Sequence, residues 1–214
     1  MFIAIEGVIG VGKTSLARLL QPPFKSNILL EIFEENPFLS KFYEDRKRYA
    51  FQTQLFFLLS RYHQQRHSVP KLLEEKIPLI SDYTFNKDSL FAQITLFGDE
   101  LDIYTQLHSV LAEKITSPDL IVYLHATTDI LMQRITLRDR SYERSMDRAY
   151  IDSVNTAYDN IYFKEEDDSN VLVIDSDSLD FVHNEEDFHF IESSIRQKLH
   201  LPPFQPELPI NHAR

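Results

Sequence analysis

The stretch "IAIEGVIGVGKTSLARLL", Ile3 to Leu20, decides how this chain is read. An apolar segment runs into Gly7; four residues later come Gly12, Lys13 and Thr14, followed by a segment of helical period. A glycine, four residues and Gly-Lys-Thr between a strand and a helix is the pattern of a phosphate-binding loop, or P-loop. Backbone N–H groups and the helix N-terminus cradle phosphates there, the lysine reaches the outer phosphate oxygens, and the threonine hydroxyl ligates Mg²⁺. The expected nucleotide contacts are Gly7, Val8, Ile9, Gly10, Val11, Gly12, Lys13, Thr14 and Ser15. Only four glycines exist in the chain, and three of them lie in this loop. A chain so poor in glycine places it where the backbone needs a positive φ or a close approach.

Outward from the loop, short apolar runs alternate with longer stretches of helical period. Phe2 to Glu6, Asn27 to Phe33, Ile77 to Asp82, Asp119 to His125 and Asn170 to Asp175 read as buried strands without polar alternation. Five such strands separated by helices predict an α/β fold, a five-stranded parallel sheet flanked by helices on both faces. Helix breaks are expected at "QPPFKSN", "HSVP" and "TSPD", and a solvated acidic loop at "KEEDDSN". With 214 residues, one domain spanning about 1–200 is expected, followed by a proline-rich tail, 201–214, outside the core.

Composition excludes several classes. The net charge of -11 argues against sequence-independent nucleic-acid binding, and the absence of cysteine excludes disulfides and thiolate metal sites. The histidines show no helical pair beside a carboxylate, so no zinc site is assigned. "MFIAIEGVIG" lacks a basic start and a small-residue cleavage site, and no apolar run reaches membrane-spanning length, which makes a cytoplasmic protein the expectation.

A P-loop alone leaves hydrolase, switch and kinase open. In doubly wound sheets ligands bind beyond the carboxyl ends of the strands, where Glu31 and Asp82 are expected. Either carboxylate suits the proton of an acceptor hydroxyl, and either suits the metal or its waters. In "ENPFLSKFYEDRKRYAFQTQLFFLLSRY", Tyr43, Gln54 and Arg61 are polar groups among aromatics. Gln54 and Arg61 lie two helical turns apart on one face, with Gln52 nearly opposite, and could read a nucleobase edge. Arg134 and Arg138 stand at i, i+4 on one helix and are expected to point at the same polyphosphate, with Arg140 in the following loop.

Six segments, "EGVIGVGKTSLARLL", "LLEIFEENPFLSKFYED", "YAFQTQLFFLLSRY", "ISDYTFNKDSLFA", "RITLRDRSYE" and "IDSDSLDF", together resemble the deoxynucleoside kinase family. The similarity is greatest to its bacterial deoxyguanosine and deoxyadenosine kinase branch and runs from about Phe2 to Leu199. It implies a P-loop kinase fold with a lid at about 138–146, and transfer of the γ-phosphoryl group of ATP, or another nucleoside triphosphate, to a deoxynucleoside 5′-hydroxyl. It implies that Glu31, rather than Glu34 or Glu35, binds the 5′-hydroxyl, that Tyr43 and Glu143 reach the 3′-hydroxyl, and that Gln54 and Arg61 meet the base. Lys13, Arg138 and Arg140 would neutralise the transferring group, and Asp175, Ser176 and Asp177 would pack on adenine or simply form a polar turn. Where animal enzymes have glutamate-arginine, this chain has Asp82-Tyr83. Asp82 keeps the role of base or metal ligand beside Thr14, while Lys87 either replaces the missing positive charge or touches the base.

Tyr83, Lys87 and Asp88 therefore join the expected substrate contacts, Asp88 as an acid that would suit guanine. The expected substrate is deoxyguanosine or deoxyadenosine. The alternatives are a deoxycytidine or broad-specificity enzyme, a thymidylate-like nucleoside monophosphate kinase, and a P-loop ATPase switch. The family also implies a homodimer, with "LDIYTQLHSVL" as a candidate surface.

Overall fold

A computed structural model of the chain describes residues 1–33, 35–144, 146–164 and 170–203. Five parallel strands form one sheet: β1 (Phe2–Gly7), β2 (Asn27–Leu29), β3 (Leu79–Ser81), β4 (Leu120–His125) and β5 (Val171–Asp175). Their order is β2-β3-β1-β4-β5. Ile3 lies opposite Ile80 of β3 on one side and Leu120 of β4 on the other, so the strand leading into the P-loop is central. Helices surround the sheet: α1 (Lys13–Phe24), α2 (Leu39–Glu44), α3 (Arg46–Glu74), α4 (Lys87–Thr95), α5 (Asp99–Ala112), α6 (Thr128–Arg138), α7 (Arg148–Tyr162) and α8 (Glu185–Lys198).

The core is apolar where the sequence pattern requires it. Ile3, Ile5, Leu16, Leu20, Val122 and Leu124 are fully buried, so β1, α1 and β4 are packed together from both chemical faces. The P-loop is then the connection between a clamped strand and a clamped helix. Gly7 sits at φ 144°, and a Cβ there would come within 2.5 Å of the Leu124 carbonyl oxygen. Only glycine lets β1 run this close to β4 at the loop's first residue.

Two expected boundaries differ. The second strand stops at Leu29 rather than Phe33, because the Glu31 N–H donates to the Asp82 Oδ1 (2.7 Å) instead of to a neighbouring strand. No break occurs at "HSVP": α3 continues through Pro70, since Val69 is buried against Phe2, Leu79 and Tyr83 and holds the turn in place. The break expected at "QPPFKSN" is present: α1 continues through Pro22 and Pro23 to the buried Phe24, where Arg196 donates to the Pro23 carbonyl (2.9 Å) and lies over the Phe24 ring, and it ends at Lys25. In both helices tertiary burial outweighs the proline within the helix.

Helix α5 buries Tyr104 and leaves Ile103 and Val110 exposed. No helix among the described residues is long and apolar enough to cross a membrane. The acidic segment expected as a loop falls mostly on 165–169, and the expected tail mostly on 204–214. Both stretches, with Glu34 and residue 145 of the expected lid, lie outside the described residues.

Candidate active site

One cavity opens at the carboxyl ends of β1, β2 and β3. Its floor is the P-loop, represented by Ile9, Gly10, Lys13 and Thr14; its far wall is α3, represented by Thr53, Gln54, Phe57 and Arg61. The Lys13 ammonium donates to the Gly7 (2.7 Å) and Val8 (3.0 Å) carbonyls. Burial, helped by the nearby Lys87 ammonium, lowers its pKa to about 7. A polyphosphate would supply the anion that this lysine lacks.

Beside it, the Thr14 hydroxyl donates to Asp82 Oδ2 at 2.5 Å while Asp82 Oδ1 holds the Glu31 amide. Asp82 thus joins the loop that would carry the donor to the segment carrying Glu31. Glu31 itself is pinned by two cations: Lys87 donates to Oε2 (2.6 Å) and Arg61 pairs with Oε1. Burial alone would raise the Glu31 pKa, but Arg61 and Lys87 outweigh it and hold the carboxyl well below the usual range. Arg61 also pairs with the fully buried Asp88 and lies over the Phe57 ring at 4.6 Å. Glu31, Asp88, Arg61 and Lys87 therefore form one network of opposite charges at the cavity wall.

The remaining walls are aromatic. Tyr43 stacks on Tyr142 with ring centroids 6.2 Å apart, Phe42 packs edge-on to Tyr43, and the Arg140 guanidinium lies 4.3 Å over Phe33. Burial raises the Tyr43 pKa well above its ordinary value, so the phenol stays protonated and can donate. After α6, Asp139 adopts φ 49° and turns the chain into a 3₁₀ segment, Ser141–Glu143, which brings Glu143 into the cavity. Arg138 donates to both Glu143 oxygens at 2.7 Å.

Not every expected contact lies at the cavity. Tyr83 does not line it. Just past the end of β3, it packs in the core beside Phe2 and Val69, and its hydroxyl donates to Gln64 (2.5 Å). Asp88 lies behind Arg61, not on the surface of the cavity. Arg134 does not share Arg138's target: its guanidinium donates to the Ser176 carbonyl (2.7 Å) and hydroxyl (3.2 Å) and the Leu179 carbonyl (3.3 Å). It braces the loop after β5 against the P-loop, where Phe181 packs on Gly12. Asp175, Ser176 and Asp177 form a polar turn in which Asp175 accepts from the Asp177 amide (3.1 Å). Val8 and Val11 are core side chains, leaving only their backbone to face phosphate, and Ser15 is exposed.

Two residues that sequence reasoning missed matter here. Tyr142, in the 3₁₀ segment after α6, forms the other side of the Tyr43 stack. Glu6, fully buried at the end of β1, accepts from the Thr84 amide (2.6 Å) and hydroxyl (2.7 Å), from Tyr158 (3.0 Å) and from the Gly7 amide (3.3 Å). It ties β1, the β3–α4 connection and α7 together beneath the P-loop. The available signal was a lone acid in an otherwise apolar strand. Glu6→Ala strands these donors and is expected to cost about 3 kcal/mol of unfolding free energy in urea titration; a cost below about 1 kcal/mol would refute this role.

Comparison with known proteins points to one family. Residues 3–200 match the deoxynucleoside kinase family model. The chain is 36% identical over 200 residues to the deoxyguanosine kinase of Bacillus subtilis (strain 168), covering 92% of this chain and 96% of the relative. It is 32% identical over 210 residues to the deoxyguanosine kinase of Lactobacillus johnsonii, covering 92% of each. The fold superposes on the deoxyadenosine kinase from M. mycoides with bound dCTP with a TM-score of 0.78 at 26% identity, over 92% of this chain and 100% of that one. With a family model matched over nearly the whole chain and a relative 36% identical over 92% of it, the chain belongs to the deoxynucleoside kinase family.

Proposed function

We propose that the protein transfers the γ-phosphoryl group of ATP to the 5′-hydroxyl of a purine deoxynucleoside, deoxyguanosine or deoxyadenosine. The observation that carries this is the meeting of Lys13, Thr14 and Asp82 with Glu31, Arg61 and Lys87 in one cavity. The named activities of the relatives support the purine choice.

Glu31 remains ionised and fixed by its two cations, so it orients the 5′-hydroxyl and takes its proton as the bond to phosphorus forms. A carboxylate of such low basicity suffices because phosphoryl transfer passes through a loose transition state that asks more for charge neutralisation than for a strong base. Lys13, Arg138 and Arg140 supply that neutralisation. Tyr43 and Glu143 would hold the sugar 3′-hydroxyl, and Gln54 the base. The lid aromatics exclude water, favouring transfer over hydrolysis.

Thr14 and Asp82 are hard oxygen donors 2.5 Å apart and suit Mg²⁺, which takes one or two protein oxygens together with phosphate oxygens. These two residues would hold the ion, which when bound would supply positive charge to offset that of the phosphates.

A nucleoside monophosphate acceptor would need a further basic clamp. Arg46, Lys47 and Arg48, the nearest candidates, do not line the cavity, and Arg46 is paired with Asp147 and lies over Tyr150. Competition of the four deoxynucleosides in one assay tests the substrate: purine monophosphates should dominate the products, and predominance of dCMP or dTMP would overturn the purine assignment.

A further inference from the structure

Gln54 is buried on α3, lines the cavity, and has its amide beside Thr95 at the end of α4. Two contacts define that meeting. The Thr95 hydroxyl donates to the Phe91 carbonyl one turn earlier, at 2.7 Å, and Gln54 Nε2 donates to Thr95 Oγ1 at 3.2 Å. A hydroxyl has one proton. With that proton on the Phe91 carbonyl, Oγ1 offers only lone pairs to Gln54, so the NH₂ end of the amide must face it. The flipped amide would set the Gln54 carbonyl oxygen against those lone pairs.

This matters because the two purines present opposite edges. A 6-aminopurine offers a donor at the exocyclic nitrogen followed by an acceptor at N1; a 6-oxopurine offers an acceptor at O6 followed by a donor at N1–H. An amide free to flip satisfies both, whereas an amide held in one orientation satisfies one and leaves unpaired groups against the other. Arg61, two turns further along α3, is held by Glu31 and Asp88, whereas the orientation of the Gln54 amide is set by Thr95.

We propose that Thr95 is a specificity-determining residue: by fixing the orientation of the Gln54 amide it makes the enzyme distinguish 6-oxo from 6-aminopurine deoxynucleosides. Thr95 acts through Gln54 as a positioning residue, and the inference rests on the base-reading role of Gln54 proposed above.

The test is the ratio of kcat/KM for deoxyguanosine and deoxyadenosine in the wild type, Thr95→Val, Thr95→Ser and Gln54→Ala. Valine keeps the shape and removes the hydroxyl, so Thr95→Val should move the ratio toward unity by about fivefold or more. Serine restores the hydroxyl and should leave the ratio within about twofold of the wild type. A role in stability alone would lower both kcat/KM values together and leave their ratio unchanged. If Gln54→Ala shifts the ratio and Thr95→Val does not, the inference is overturned while base reading by Gln54 stands. If Gln54→Ala also leaves the ratio unchanged, base reading fails and the role of Thr95 fails with it.

Discussion

Glu31→Gln is expected to lower kcat about a thousandfold while the protein remains folded. The amide keeps the side chain's shape but can no longer take the proton of the acceptor hydroxyl. It also leaves the Lys87 ammonium without its anion, although Arg61 retains Asp88. Deoxynucleoside KM should change only a few-fold, because Tyr43, Gln54 and the aromatic walls are untouched. Steady-state kinetics with circular dichroism as a check on folding provide the measurement. A kcat within about tenfold of the wild type would exclude Glu31 from the proton-accepting role.

Lys13→Met should be as severe, with a loss of about a thousandfold or more, because the ammonium meets charge that develops on the transferring group in a site closed to water. Lys13 also predicts a pH effect. Burial and Lys87 hold its pKa at about 7 in the free protein, so above that pH the neutral amine predominates. A triphosphate favours the ammonium and raises this pKa, so binding at pH 8 must take up a proton, and affinity should fall as pH rises through 7. Calorimetric titration of ATP in two buffers of different ionisation enthalpy should report uptake of about one proton for the wild type and none for Lys13→Met. Equal uptake by both proteins would assign the proton elsewhere.

Much of this site is legible in the amino-acid sequence because its parts are local. Gly7, Gly12, Lys13 and Thr14 lie in one loop whose shape follows from the residues themselves, and the two-turn spacing of Gln54 and Arg61 fixes them on one face of α3. What the sequence hides is what each side chain meets from another element. Helical spacing aligns Arg134 with Arg138, but the carbonyls of Ser176 and Leu179 capture the first and Glu143 the second. Adjacency suggests that Tyr83 serves beside Asp82, whereas Phe2, Val69 and the Gln64 side chain draw it into the core. Glu31 sits in an apolar run that reads as strand to its end; only the Asp82 side chain, far along the chain, draws that segment out of the sheet. Glu6 reads as strand and lies in β1, but the pattern hides that it is also the acceptor on which three segments converge.

The most direct measurement is the fate of the γ-phosphate. With γ-labelled ATP, Mg²⁺ and deoxyguanosine or deoxyadenosine, label should appear in the deoxynucleoside 5′-monophosphate in step with ADP, with little label released as free phosphate and little ADP formed without the acceptor. Label released chiefly as free phosphate, at the same rate with or without a deoxynucleoside, would contradict transfer at this site.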